Sequence, residues 1–148
     1  MRLSVDRSAG SGACVLQQKV VISMHDSARQ SGPVVLVVED ESLIRMQTVA
    51  VIDEAGYNVI EASNTDEAIA ILEKRKDIRI VVTDIEMPGS MDGLKLARAV
   101  RDRWPPIELI VTSGRYHVGI DDLPSRAKFM AKPYTSDGLV TALRTMNG

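Results

Sequence analysis

The chain has a single cysteine, Cys14, among its 148 residues. One thiol cannot close an internal disulfide, and it excludes the zinc sites that need several cysteines. The two histidines, His25 and His117, are far apart and lack the spacing of a local metal pair. No apolar stretch approaches the length of a transmembrane helix. Near the N-terminus, Val15 to Met24 is interrupted by Gln17, Gln18 and Lys19, so the unbroken apolar region of a secretory signal is missing as well. A cytoplasmic protein with no membrane insertion is expected. An excess of positive charge is also lacking: the formal net charge is −2, which argues against a general nucleic-acid binder. The densest basic cluster, Lys74, Arg75, Lys76 and Arg79, closes a helical pattern and reads as a solvated helix end.

What is present suits one globular domain. Hydrophobic residues make up 45% and charged residues 26%, and the length is enough for a single core. Residues 1–32 stand apart, being rich in Ser, Gly and Ala without a sustained period. They read as a disordered N-terminal extension. An added strand or helix over Val15 to Met24 is the alternative, and Met24 offers a second start site.

From Pro33 the punctuation is regular. Val34 to Val38 is a continuous apolar run, as expected of a strand covered on both faces, and Glu39-Asp40 follow at once. Ser42 to Ala55 has helical spacing and stops at Gly56. Asn58 to Glu61 reads as a strand. Ser63, Asn64 and Thr65 offer N-caps for a helix that turns Ala68, Ile69, Ile71 and Leu72 inward. A third strand, Ile78 to Thr83, ends at Asp84, and a helix from Gly93 to Trp104 is stopped by Pro105-Pro106. Ile107 to Val111 and Lys128 to Ala131 are the last strands, the first ending at Thr112-Ser113-Gly114 and the second at Lys132-Pro133. A final helix carries Leu139, Ala142, Leu143 and Met146. Strands alternating with helices predict a doubly wound five-stranded parallel sheet with helices on both faces, residues 33–148 forming the domain. Between Gly114 and Arg126 the apolar stripe is missing, so a helix there must be short or irregular.

Glu39, Asp40, Asp84, Thr112 and Lys132 all fall at carboxyl ends of expected strands, and a parallel sheet gathers those ends on one edge. Clustered carboxylates repel one another, which raises a pKa or calls for a cation. A hard ion such as Mg²⁺, bound through carboxylates, water and a phosphate, satisfies that need. Singly, each residue has a structural reading: Glu39-Asp40 as a helix cap, Asp84 and Thr112 as turn residues, Lys132 as a solvated loop cation.

Together these residues resemble the receiver domain of two-component response regulators. The resemblance is carried by Val-Val-Glu-Asp after the first strand, Asp84 followed by Met87-Pro88 and Asp92-Gly93, Thr112, and Lys132-Pro133, and it spans Val34 to Met146. It implies a flavodoxin-like fold with strand order 2-1-3-4-5 in three layers, α/β/α. It further implies that Asp84 is the phosphoacceptor and that Mg²⁺ is held by Glu39, Asp40, Asp84 and the backbone carbonyl of Glu86. By the same resemblance Lys132 pairs with a phosphoryl oxygen, Thr112 and Phe129 act as switch residues, and Glu86 and Gly114 occupy positions that tune phosphoryl lifetime. Tyr134 follows Lys132-Pro133 as an aromatic commonly does in the family. Gly89-Ser90-Met91 makes the loop before Asp92 one residue longer than the common spacing, and the segment after Thr112 departs from the family pattern.

The expected protein is then a phosphorylation-dependent switch rather than an enzyme. Its partners would be a sensor histidine kinase or histidine phosphotransfer protein and a downstream output protein. With no appreciable sequence after Gly148, a stand-alone regulator is expected. A receiver-like binding module without phosphorylation is the second reading. An aspartate-nucleophile phosphohydrolase is the third, although Glu86 stands where such an enzyme places a second aspartate.

Overall fold

A computed structural model describes residues 32–87, 92–114 and 120–147. All but Gly32 of the extension expected over residues 1–32, the loop Gly89-Ser90-Met91 and His117 lie outside the described residues. Among the described residues five strands alternate with four α-helices: β1 Val34–Val38, α1 Ser42–Glu54, β2 Asn58–Ala62, α2 Thr65–Lys74, β3 Ile78–Asp84, α3 Gly93–Arg103, β4 Glu108–Ser113, β5 Ala127–Ala131 and α4 Ser136–Asn147. All pairings are parallel and the strand order is β2-β1-β3-β4-β5, the expected 2-1-3-4-5.

The alternation of side chains along each strand builds two apolar layers. Leu36, Val38, Val81, Leu109 and Val111 pack with Ala68 and Leu72 of α2 and Leu96, Ala97 and Val100 of α3. On the other face Val35, Val37, Ile80, Val82 and Ile110 pack with Ile52 of α1 and Leu139 and Leu143 of α4. The central strands β1 and β3 are covered on both sides, which is why Val34–Val38 and Ile80–Val82 are continuous apolar runs rather than alternating ones.

Helix ends follow the local sequence. Gly56 takes φ 101°, a conformation that costs a residue with a Cβ and ends α1. Asn64 accepts from the Glu67 amide at 2.8 Å, while Glu67 accepts from the Ser63 amide at 2.6 Å, a reciprocal cap for α2. Asp92 caps α3 through the Lys95 amide, and Thr135 caps α4 through the Gly138 amide, each at 2.9 Å. β4 runs two residues further than expected, because Thr112 and Ser113 stay in register with β5.

The fourth connection is the irregular one. Its described part contains only a 3-10 turn, Ile120–Asp122, where a helix would complete the alternation. Arginines tie this segment to α3 and the loop after it. Arg98 donates to the Asp122 carbonyl at 2.9 Å, Arg101 to those of Ser125, Pro105 and Ile107 at 2.6–2.8 Å, and Arg126 to that of Pro105 at 2.7 Å. Leu123 packs against the α2/α3 layer beneath them. Among the described residues no helix is long and apolar enough to cross a membrane.

Candidate functional site

The site is the continuation of the α1/α4 face beyond the strand ends. On β1, Val35 and Val37 face that layer, and the next position in the alternation is Glu39. On β3 the series is Ile80, Val82, Asp84; on β4 it is Ile110, Thr112; on β5 it is Met130, Lys132. The ladder continues far enough to keep this phase, since Glu39 N–H donates to the Ala62 carbonyl at 3.1 Å and Lys132 N–H to that of Ser113 at 2.9 Å. One face and one edge therefore gather four polar side chains whose sequence positions span more than ninety residues. Asp40, one step out of phase, is exposed at the rim.

Lys132 Nζ donates to Glu39 Oε1 at 2.9 Å and lies 3.2 Å from Asp84 Oδ2. Glu39 Oε2 accepts from the Glu41 amide at 3.2 Å. The side chains of Asp84 and Glu39 are only 4% and 6% exposed, so these charges interact with little screening by water. Burial raises the Asp84 carboxyl from 3.8 to about 6; the Glu39 charge adds to the rise and Lys132 opposes it. Burial disfavours the Lys132 ammonium, but the bond to Glu39 and the charge of Asp84 outweigh it and raise its pKa.

Asp84 Oδ1 is buried without a hydrogen-bond partner. Such an atom costs free energy unless something polar reaches it. Glu39, Asp40 and Asp84 each offer an oxygen, all within 4.8 Å of one another. An all-oxygen, anionic donor set with one orphaned ligand atom fits a hard divalent cation, Mg²⁺ included.

The surrounding backbone fixes Asp84. Ile85 N–H donates to the Thr112 carbonyl at 2.9 Å, and Thr83 Oγ1 donates to the Asp84 carbonyl at 3.1 Å. Gly93 opens α3 directly against this carbonyl: a Cβ there would fall 1.7 Å from Asp84 O, so only glycine permits the approach. Thr112 is buried and pairs in register with Asp84 across β3 and β4. Phe129 pairs with Val111 and packs on the opposite, α2/α3 face, so it does not share the pocket with Thr112. The Glu86 carboxylate is turned toward β4, where Ser113 Oγ donates to it at 2.5 Å and Gly114 N–H lies at 3.4 Å.

Sequence reasoning missed the roles of two supporting residues, Arg45 and Thr48, and the steric reason for a third, Gly93. Arg45 on α1 donates through Nη1 to the Glu39 carbonyl at 2.8 Å and through Nε to Glu61 at 3.0 Å. Thr48, also on α1, shares a 2.9 Å hydrogen bond with the Tyr134 hydroxyl. Gly93 was visible only as part of a motif, without its steric reason. Helical periodicity marks Thr48 as inward-facing, but nothing local in the sequence pairs it with a residue 86 positions away.

The family model of the response regulator receiver domain matches residues 35–144. The chain belongs to the response regulator receiver family. Among its relatives is the response regulator receiver protein CpdR of Brucella abortus, 30% identical over 115 residues that cover 76% of this chain and 94% of that protein. The sensor kinase CckA of the same organism is 34% identical over 149 aligned residues covering 98% of this chain, yet the chain spans only 15% of that kinase. Among solved structures, a receiver domain protein from Clostridium thermocellum superposes with a TM-score of 0.72 at 25% identity, covering 77% of this chain and 93% of that one. A receiver of the two-component class thus accounts for the fold and for the acidic cluster at its carboxyl edge.

Proposed function

We propose that this receiver accepts a phosphoryl group on Asp84 from a phosphohistidine of a sensor kinase or histidine phosphotransfer protein. The observation that carries the reading is the half-satisfied Asp84 carboxylate. Oδ2 is held 3.2 Å from Lys132 Nζ, and Oδ1 is buried with no partner. A carboxylate fixed at one oxygen and left open at the other is prepared to act as a nucleophile.

In the transfer, an Asp84 oxygen forms a bond to phosphorus while the phosphorus–nitrogen bond of the phosphohistidine breaks. The leaving imidazole nitrogen keeps that electron pair and takes a proton from solvent. Lys132 is placed to follow the new charge, exchanging its contact with the carboxylate for one with a phosphoryl oxygen. Thr112, the register partner of Asp84, supplies a hydroxyl on the same face. Glu39, Asp40, Asp84 and the Glu86 carbonyl would hold Mg²⁺, which when bound neutralises phosphoryl oxygens. Charge placement and orientation, rather than general acid–base chemistry, do most of the work in such a transfer. The protein acts in this reading as a phosphoacceptor that assists its own phosphorylation, working in the cytoplasm and signalling to a protein partner or relaying the phosphoryl group.

Incubation with acetyl phosphate and Mg²⁺, followed by intact mass, tests the reading. One added phosphoryl group is expected on the wild type and none on Asp84→Asn. No adduct on a folded wild-type chain at any donor concentration would leave a binding module without phosphorylation.

A further inference from the structure

We infer that α1 is the brace that sets the distance between the two halves of the site, with Arg45 and Thr48 as separate positioning residues for the acidic half and the lysine half. The inference rests on the phosphoacceptor reading above and assigns roles to side chains that touch none of the reacting atoms.

Glu39 and Asp40 stand just after β1 and Lys132 just after β5, while Asp84 closes β3 between them. No strand pairing connects the two, because β3 and β4 lie between β1 and β5 in the sheet. What both loops share is α1. Arg45 reaches back to the loop after β1 and donates to the Glu39 carbonyl at 2.8 Å, while its Nε is anchored at 3.0 Å by Glu61 near the end of β2. Three residues along the same helix, Thr48 bonds at 2.9 Å to the hydroxyl of Tyr134, two residues past Lys132. Residues three apart on a helix lie on one side of it, so a single turn of α1 tethers both loops.

The tethers are differently protected. Thr48 is 4% exposed and its bond spans the packed contact between α1 and the segment before α4. Arg45 has a side chain 19% exposed, beside the exposed Glu61, and a guanidinium that can hold a carbonyl and a carboxylate together in fixed geometry. Between the tethered loops lies the 2.9 Å contact of Lys132 with Glu39. Loosening the first tether frees the carbonyl side of Glu39 and hence the direction in which Glu39 and Asp40 point. Loosening the second frees Lys132 without touching the acids. A cavity of about 720 Å³ opens beside this turn, lined in part by Thr48, Lys132, Pro133 and Tyr134, so the lysine loop has room to move once untied.

The two tethers therefore predict a crossed pattern. Arg45→Ala should weaken Mg²⁺ binding about 10-fold, measured by calorimetric titration without phosphodonor, while the acetyl phosphate reaction at saturating Mg²⁺ stays within about 2-fold. Arg45→Lys, which can keep one of the two contacts, should recover part of the affinity. Tyr134→Phe, which removes only a hydroxyl, should leave Mg²⁺ affinity within about 2-fold and slow the saturated reaction about 5-fold. Thermal melts of each variant accompany both measurements. Parallel losses in both quantities, scaling with the drop in melting temperature, overturn the brace, as does unchanged Mg²⁺ affinity in Arg45→Ala. A wild-type chain that binds no Mg²⁺ and takes up no phosphoryl group instead removes the reading of the site itself, an outcome distinguishable because it needs no variant.

Discussion

The carboxyl edge of the sheet and the connection between β4 and β5 are both held by charged side chains, to opposite ends. At the edge, Lys132 is shared by two buried carboxylates, one of which keeps an unpartnered oxygen. In the connection, Arg98, Arg101 and Arg126 donate to carbonyls that no helix satisfies. The first arrangement gathers like charges and leaves a ligand atom open, at a cost to stability. The second closes exposed backbone and, among the described residues, leaves one Arg101 nitrogen, Nη2, buried without a partner. Charged side chains thus leave an anionic cluster with an open ligand atom in one place and stand in for helix hydrogen bonds in the other.

The sharpest separation of the two is by pH. Asp84 is raised from 3.8 to about 6 in the folded chain, so between those values the folded state binds more protons than the unfolded one. Stability then falls as pH rises through that window, by about 3 kcal/mol, and levels off above it. Chemical denaturation in EDTA from pH 4 to about pH 7 measures this slope. Asp84→Asn should flatten it, whereas Arg101→Met should leave the slope intact while lowering the whole curve.

A steric test comes next. Gly93→Ala places a methyl where the Asp84 carbonyl stands, so α3 or the end of β3 must shift. The expected cost is about 2 kcal/mol, with the acetyl phosphate reaction slowed if the displaced strand end carries the proposed phosphoacceptor, Asp84. Equal stability of this variant in thermal and urea unfolding would show that the loop after β3 absorbs the change.

Most of the fold was legible because it depends on apolar runs and their punctuation. Val34–Val38 and Ile78–Asp84 are buried throughout or nearly so, and their ends deliver Glu39 and Asp84. The missing stripe after Gly114 announced the irregular connection, although the arginine contacts that hold it depend on carbonyl positions that no sequence pattern encodes. The end of β4 was misjudged because Thr112-Ser113-Gly114 has the composition of a turn, while pairing of Thr112 with both β3 and β5, and of Ser113 with β5, keeps the first two residues in the ladder. The convergence of the site was read from strand ends alone. Extending the period-2 alternation one step further would also have predicted that Glu39, Asp84, Thr112 and Lys132 share a face and that Phe129 does not. Arg45 was out of reach, since its partners are a carbonyl and a carboxylate of two other segments.

In the connection, Arg101→Met keeps much of the aliphatic stem and removes three donated bonds, to Ser125, Pro105 and Ile107. The expected loss is about 1.5 kcal/mol, tempered because several of these carbonyls can turn to water. Mg²⁺ affinity and the acetyl phosphate reaction should stay within about 2-fold, since the contacts lie on α3, the turn between α3 and β4 and the segment before β5 rather than on the segments that carry the acids and Lys132. A large loss of phosphorylation in this variant would join the two regions that the comparison separates.

Arg126 gives the smallest expected effect and the most instructive sign. It holds φ at 64°, a left-handed conformation unfavourable for a residue with a Cβ, while its guanidinium donates to the Pro105 carbonyl at 2.7 Å. Arg126→Ala keeps the strained backbone and loses the bond, so it should destabilise by about 1 kcal/mol. Arg126→Gly loses the same bond but relieves the strain, at the expense of a more flexible unfolded chain, and should fall within about 0.5 kcal/mol of wild type. The difference between the two variants in urea denaturation isolates the backbone contribution. If alanine and glycine are equally costly, the arginine bond alone holds the turn; if glycine is the better of the two, the turn is imposed on Arg126 by the contacts of its neighbours to α3.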